Sequence, residues 1–305
     1  MYCSWLVVVF LAASAALAAA DAAQEQMEKA VRAQKAGDLS AAAAAYRLAL
    51  QSNPRLTLAH HLLGVCELQL GNLNKGMEHL EIVLRQDPAN RQAAYTLVST
   101  YIATGMLAEA GKVIDTALRA DSSAAGHLMR GSLQMALGEY EVATHELEQA
   151  RKLDGRLPGV VSQLGVAYCF ANRLDDAIPV LEAALRENPE DANAAAFLGW
   201  LYKDRDRDKE AATLLESAVR ARPSDKGAWF LLAQLAQNRG EPAHAAELLQ
   251  KVVEMDPGFR PAHVLLARVY QQLRRPEDAA RERAIVDRLN AEQQASQPAA
   301  PPSKH

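Results

Sequence analysis

Asp204, Asp206 and Asp208 alternate through the stretch DRDRDKEAATLLE, at the spacing of the first three ligands of a calcium loop. Such a loop needs glycine at its sixth place and a bidentate glutamate at its twelfth. Those places hold Lys209 and Leu215, and Arg205 and Arg207 offset the charge, so the stretch reads as a solvated turn. Histidines fall at 60, 61, 79, 127, 145, 244, 263 and 305, with no pair at the i, i+4 spacing of a zinc-binding helix. His60, His127 and His263 share one phase and read as packed side chains. Cys3, Cys66 and Cys169 form no CxxC pair, which leaves no zinc ribbon or dithiol redox motif. The chain carries no GxSxG, P-loop or GxGxxG stretch. These absences predict a protein without catalytic residues, metal or cofactor. The net charge of −4 argues against nucleic acid, which calls for a clustered basic face.

What the chain does carry is a period. A small residue stands at Ala42, Gly76, Ala110, Ala143, Ala177, Ala211, Ala245 and Ala279, spaced 34 residues apart except for one step of 33. Five places earlier stand Gly37, Gly71, Gly105, Gly138, Asn172, Asp206, Gly240 and Arg274, mostly residues that tolerate positive φ and end helices. Twelve places earlier lies a second small column that includes Gly64, Gly131, Gly165 and Gly199. Four places later lie Tyr46, Leu80, Ile114, Leu147, Leu181, Leu215 and Leu249, which would fill the space beside the small residues. Proline closes most periods, as at Pro54, Pro88, Pro189, Pro223 and Pro257, where a helix must stop. Each period therefore predicts two apolar-periodic helices joined by a tight turn. The fold expected is all-α, built of eight repeats at 23–56, 57–90, 91–123, 124–157, 158–191, 192–225, 226–259 and 260–294. In the eighth repeat Arg283 replaces the apolar residue, as suits a terminal helix with nothing beyond it.

Residues 1–20 read as an export signal: an apolar run at 6–17 precedes Ala-x-Ala sites ending at Ala18 or Ala20. A retained membrane anchor is the alternative. Residues 295–305, rich in proline and alanine, read as a disordered tail.

The 34-residue pattern of small residues, turn and closing proline resembles the tetratricopeptide repeat. The resemblance covers residues 23 to about 291. It implies a right-handed superhelical solenoid whose first helices line a concave, partner-binding groove. Helical phase places His61, Val65, Leu68, Tyr95, Ile102, Leu128, Met135, Trp200, Phe230 and Arg268 on that groove. The front of this set is apolar, and its basic members are few, Lys203 and Arg268. That predicts a peptide or helix of a partner protein, anchored by apolar side chains. The lysine–asparagine clamp with which some family members hold acidic C-termini is absent. The reading is a non-catalytic scaffold of the bacterial cell envelope, periplasmic or secreted. Its alternative is an accessory subunit of an envelope enzyme or of a secretion or polysaccharide-export complex.

Overall fold

A computed structural model describes residues 20–296. Of the signal expected at 1–20 and the tail expected at 295–305, residues 1–19 and 297–305 lie outside the described residues, while residue 20 opens the first helix and 295–296 continue the last one. The chain divides into two compact units after Leu157. Within the described residues each unit is a stack of helix hairpins. The first unit holds α1 (20–35), α2 (Leu39–Ser52), α3 (Thr57–Gln69), α4 (Leu73–Gln86), α5 (Arg91–Ala103), α6 (Leu107–Ala117), α7 (Ala124–Leu137) and α8 (Tyr140–Leu153). The second holds α9 (Val160–Phe170), α10 (Leu174–Glu187), α11 (Ala192–Asp204), α12 (Asp208–Ala221), α13 (Lys226–Asn238), α14 (Pro242–Met255), α15 (Arg260–Gln272) and α16 (Pro276–Ser296). The sequence reads as one uninterrupted array; at the division a longer non-helical link, 154–159, carries Gly155, Pro158 and Gly159. Among the described residues no helix is long and apolar enough to cross a membrane.

Every hairpin turns through a left-handed residue. Gly37, Gly71, Gly105, Gly138 and Gly240 have φ between +73° and +82°, and Asn172, Asp206 and Arg274 take φ of 57–59° in the same column. The small columns let paired helices touch. A Cβ on Gly165 of α9 would lie 2.5 Å from Leu181 Cδ2 on α10, so only glycine fits without movement. The anchors Ala42, Ala110, Ala143, Ala177, Ala211, Ala245 and Ala279 are fully buried beside Tyr46, Leu80, Leu147, Leu181, Leu215 and Leu249. Several helices are capped, four of them first helices of their repeats: Asp38 of α2, then Asn90, Ser123, Asp191 and Asp225, accept backbone N–H bonds of 2.9–3.2 Å from the residue three places on.

A second periodic contact ties one hairpin to the next. Tyr101 Oη donates to Glu81 Oε1 at 2.6 Å, Tyr202 Oη to Glu182 Oε1 at 2.6 Å, and Gln250 Nε2 to Tyr270 Oη at 2.9 Å, each pair 20 residues apart. The same two places hold Arg47 and the buried Glu67, so hydroxyl and carboxylate give way to an ion pair. Arg207 lies 3.7 Å from the Tyr202 ring centroid and Arg275 lies 4.5 Å from that of Tyr270, which fixes the rings from the turn side.

At the 33-residue step, α6 is 11 residues long where α2, α4 and α8 have 14. The short helix leaves a six-residue connection, 118–123, in which Asp121 turns inward to 4% exposure. Its carboxylate accepts from Tyr95 Oη and from Ser123 N–H (3.0 Å). Burial alone would raise the Asp121 pKa, but the Tyr95 and Ser123 hydrogen bonds outweigh it and hold the carboxyl below its usual 3.8.

Candidate functional site

In the first unit the expected groove residues are drawn largely into packing. His61, Val65 and Leu68 stand half-buried on α3, Tyr95 and Ile102 half-buried on α5, and Met135 half-buried on α7, while Leu128 is buried. Leu68, Tyr95 and Ile102 pack against the core formed by α4, α5 and α6. Leu68 sinks because Gly76 replaces the usual alanine: a Cβ there would stand 2.5 Å from Leu68 Cδ2. Tyr95 spends its hydroxyl on Asp121, with Ser123 Oγ a further 3.2 Å neighbour. An apolar cleft of this unit lies earlier, where Met27 and Val31 of α1 meet Leu56 and Leu58 around about 460 Å³. Leu58 is 57% exposed. Met27 and Val31 continue the same helical columns into the first repeat, so that signal was present in the sequence.

In the second unit the columns converge on one cleft of about 440 Å³ between α11, α13 and α15. Lys203, Phe230, Gln234, Gln237, Val264 and Arg268 line it, all in the expected phase; Trp200, half-buried on α11, does not. Arg260, Pro261, Leu265 and Asn238 complete the wall, which contains no carboxylate. Phe230 is held edge-on by Phe259, with ring centroids 5.3 Å apart at 86°. Val264 is 44% exposed. Arg260 is braced from α16 by Asn290 Oδ1 at 2.8 Å and Gln293 Oε1 at 3.0 Å. Gln237 Nε2 donates to Gln272 Oε1 at 2.9 Å, which leaves Gln237 Oε1 buried with no hydrogen-bond partner.

The cleft is therefore an apolar floor with a cationic rim. Phase in the sequence found most of its lining but missed Arg260, which sits at the first place of its helix and outside the chosen columns. Of the aspartates of the calcium-like stretch, Asp204 ends α11, Asp208 begins α12, and Asp206 takes the left-handed conformation on the turn between them. Cys66 and Cys169 are buried free thiols, and burial pushes Cys169 up to about 12.

A family model described as tetratricopeptide repeat matches residues 134–201, 171–235 and 236–300, and a second of the same description matches 27–77. Among solved structures, a tetratricopeptide repeat protein from Parabacteroides merdae is similar, with 18% identity and a TM-score of 0.64 over 82% of this chain and 99% of that one. The Cut9-Hcn1 hetero-tetramer of APC/C is similar with 18% identity and a TM-score of 0.68, over 76% of this chain and 48% of that one. A MamA RS-1 double mutant shares 22% identity at a TM-score of 0.50, over 57% of this chain and 97% of that one. At these identities the likenesses bear on fold alone. No curated protein matches the sequence. The helix hairpins, their left-handed turns and the family matches agree: the chain belongs to the tetratricopeptide repeat family.

Proposed function

We propose that the chain is a non-catalytic scaffold that holds a segment of a partner protein in the second unit's groove. The observation that carries this is the α11–α13–α15 cleft, where Phe230 and Val264 stand among Lys203, Arg260 and Arg268 with no carboxylate in the wall. A fitting ligand inserts an apolar side chain against Phe230 and sets an acidic group beside the cations. The sequence expectation of apolar anchoring stays, and the third cation adds a polar element to it.

The place of action we propose is the bacterial envelope, on the strength of the apolar run at 6–17 and the Ala-x-Ala sites that follow. Mass measurement of the protein from its native host should show loss of the first 18 to 20 residues. An intact N-terminus on a cytosolic protein would overturn the export reading and leave the groove reading standing. For the groove, a photo-crosslinking residue at exposed Val264 should capture one partner, and the same residue at Glu216 on α12 should not. Equal capture at both would contradict the assignment.

A further inference from the structure

Three repeats place a histidine at the same point of their first helix, and each meets the residue 19 places later on the second helix. In two of them that residue is a carboxylate. His127 Nδ1 lies 2.7 Å from Glu146 Oε2, which also accepts from Arg130 Nε at 3.1 Å, and His263 Nδ1 lies 2.6 Å from Glu282 Oε2. In the third, α3 against α4, the partner is a second histidine: His60 Nδ1 and His79 Nδ1 are 3.0 Å apart.

The proton count follows from the neighbours. His60 Nε2 lies 3.1 Å from the Pro54 carbonyl oxygen, which can only accept, so that nitrogen bears hydrogen. His60 Nδ1 is then bare and accepts from His79 Nδ1–H. A first added proton takes His79 Nε2 and puts a cation on a half-buried ring with no carboxylate across from it, and a second, at His60 Nδ1, would set two N–H groups face to face, with His60 only 8% exposed. At the other two positions the ring nitrogen faces a carboxylate oxygen instead, so an N–H there has an acceptor.

We propose that His60 and His79 make the α3–α4 hairpin an acid-labile joint, in a register where the carboxylate-paired hairpins α7–α8 and α15–α16 tolerate acid. Burial, and His60 after it, hold His79 below the ordinary histidine value of 6.5. The unfolded hairpin thus binds protons first, and stability falls as pH drops below about 6.5. The charged groups that reach the pair are Arg47 from α2, which opposes protonation, and Glu67 from α3 and Glu78 from α4, which favour it. Burial raises Glu67, but its Asn72 and Arg47 hydrogen bonds outweigh that and keep it below 4.5, outside the histidine window. His61, on the same helix, is also lowered by burial and is the competing source of any acid response.

The test is hydrogen exchange of the full chain at about pH 7.5 and about pH 5.5, corrected for intrinsic rates. Protection of residues 57–86 should fall at least about 3-fold more than that of 124–153 or 260–290. His79→Glu supplies the carboxylate of the other two hairpins and should remove the excess, whereas His61→Gln should leave it. If His79→Glu does not keep its helical signal at neutral pH, His79→Gln replaces the second ring with a group that takes no proton, and it too should remove the excess. Equal acid response of the three segments in the wild-type chain overturns the proposal. So does an excess that survives in a folded His79 variant or vanishes in His61→Gln.

Discussion

Gly165 and Leu181 meet so closely that a methyl group on the first would stand 2.5 Å from Cδ2 of the second. The contact joins α9 to α10 and depends on a bare Cα. Gly165→Ala should cost about 1–3 kcal/mol, because Leu181 is fully buried and has no room to withdraw. Urea unfolding of the variant checks this; an unchanged midpoint would mean the helices are not in contact along this column.

Arg274 takes a left-handed conformation, φ 57°, at a turn where five equivalent positions hold glycine. An L-residue with a Cβ is strained there. Arg274→Gly should stabilise the chain by up to about 1 kcal/mol, seen as a higher thermal midpoint. A lower midpoint would show that the Arg274 side chain makes a contact worth more than the strain.

Tyr202 links its helix to the preceding hairpin through a 2.6 Å bond to Glu182. Tyr202→Phe keeps the ring beneath Arg207 and removes only the hydroxyl. The expected loss is about 0.5–1.5 kcal/mol, with faster hydrogen exchange in α10 and α11 than elsewhere in the second unit. Uniform change across the unit would count against a local link.

Tyr95 is more a support than an anchor. Its hydroxyl serves Asp121, a carboxylate at 4% exposure, so Tyr95→Phe should destabilise the first unit by about 1–3 kcal/mol. Because Asp121 is held below its usual 3.8, its contribution is present above that value and lost as pH falls through the lower folded-state value. Acid unfolding of Tyr95→Phe should therefore show less of this low-pH loss than the wild type. The same steep loss in both would show that Tyr95 does not hold Asp121.

Much of the fold was legible because its requirements fall on the backbone. A left-handed turn or a close helix crossing admits few residue types, so glycine, alanine and proline mark them at a fixed period. The links between hairpins were not legible in that way. Tyr202 and Glu182 are polar residues 20 places apart, and only the stacking of one hairpin on the next brings them together. Depth along the expected groove was not legible for a related reason. Phase tells which side of a helix a residue takes, but not how deep it lies. Gly76 gives Leu68 a place to sink, and the short step brings Asp121 to Tyr95, so two residues of the expected apolar front are spent on packing. In the second unit alanine at 211 and 245 leaves Lys203 and Gln237 at the cleft wall, where phase alone locates them.

The groove of the second unit is tested most directly by anisotropy titration of the full chain with a peptide selected on it from a random linear library. Wild type is compared with Phe230→Ala and Arg268→Glu. The account predicts a peptide with an apolar residue next to an acidic one, and binding at least about 10-fold weaker to each variant at unchanged helical content. A peptide that binds all three proteins equally would contradict it.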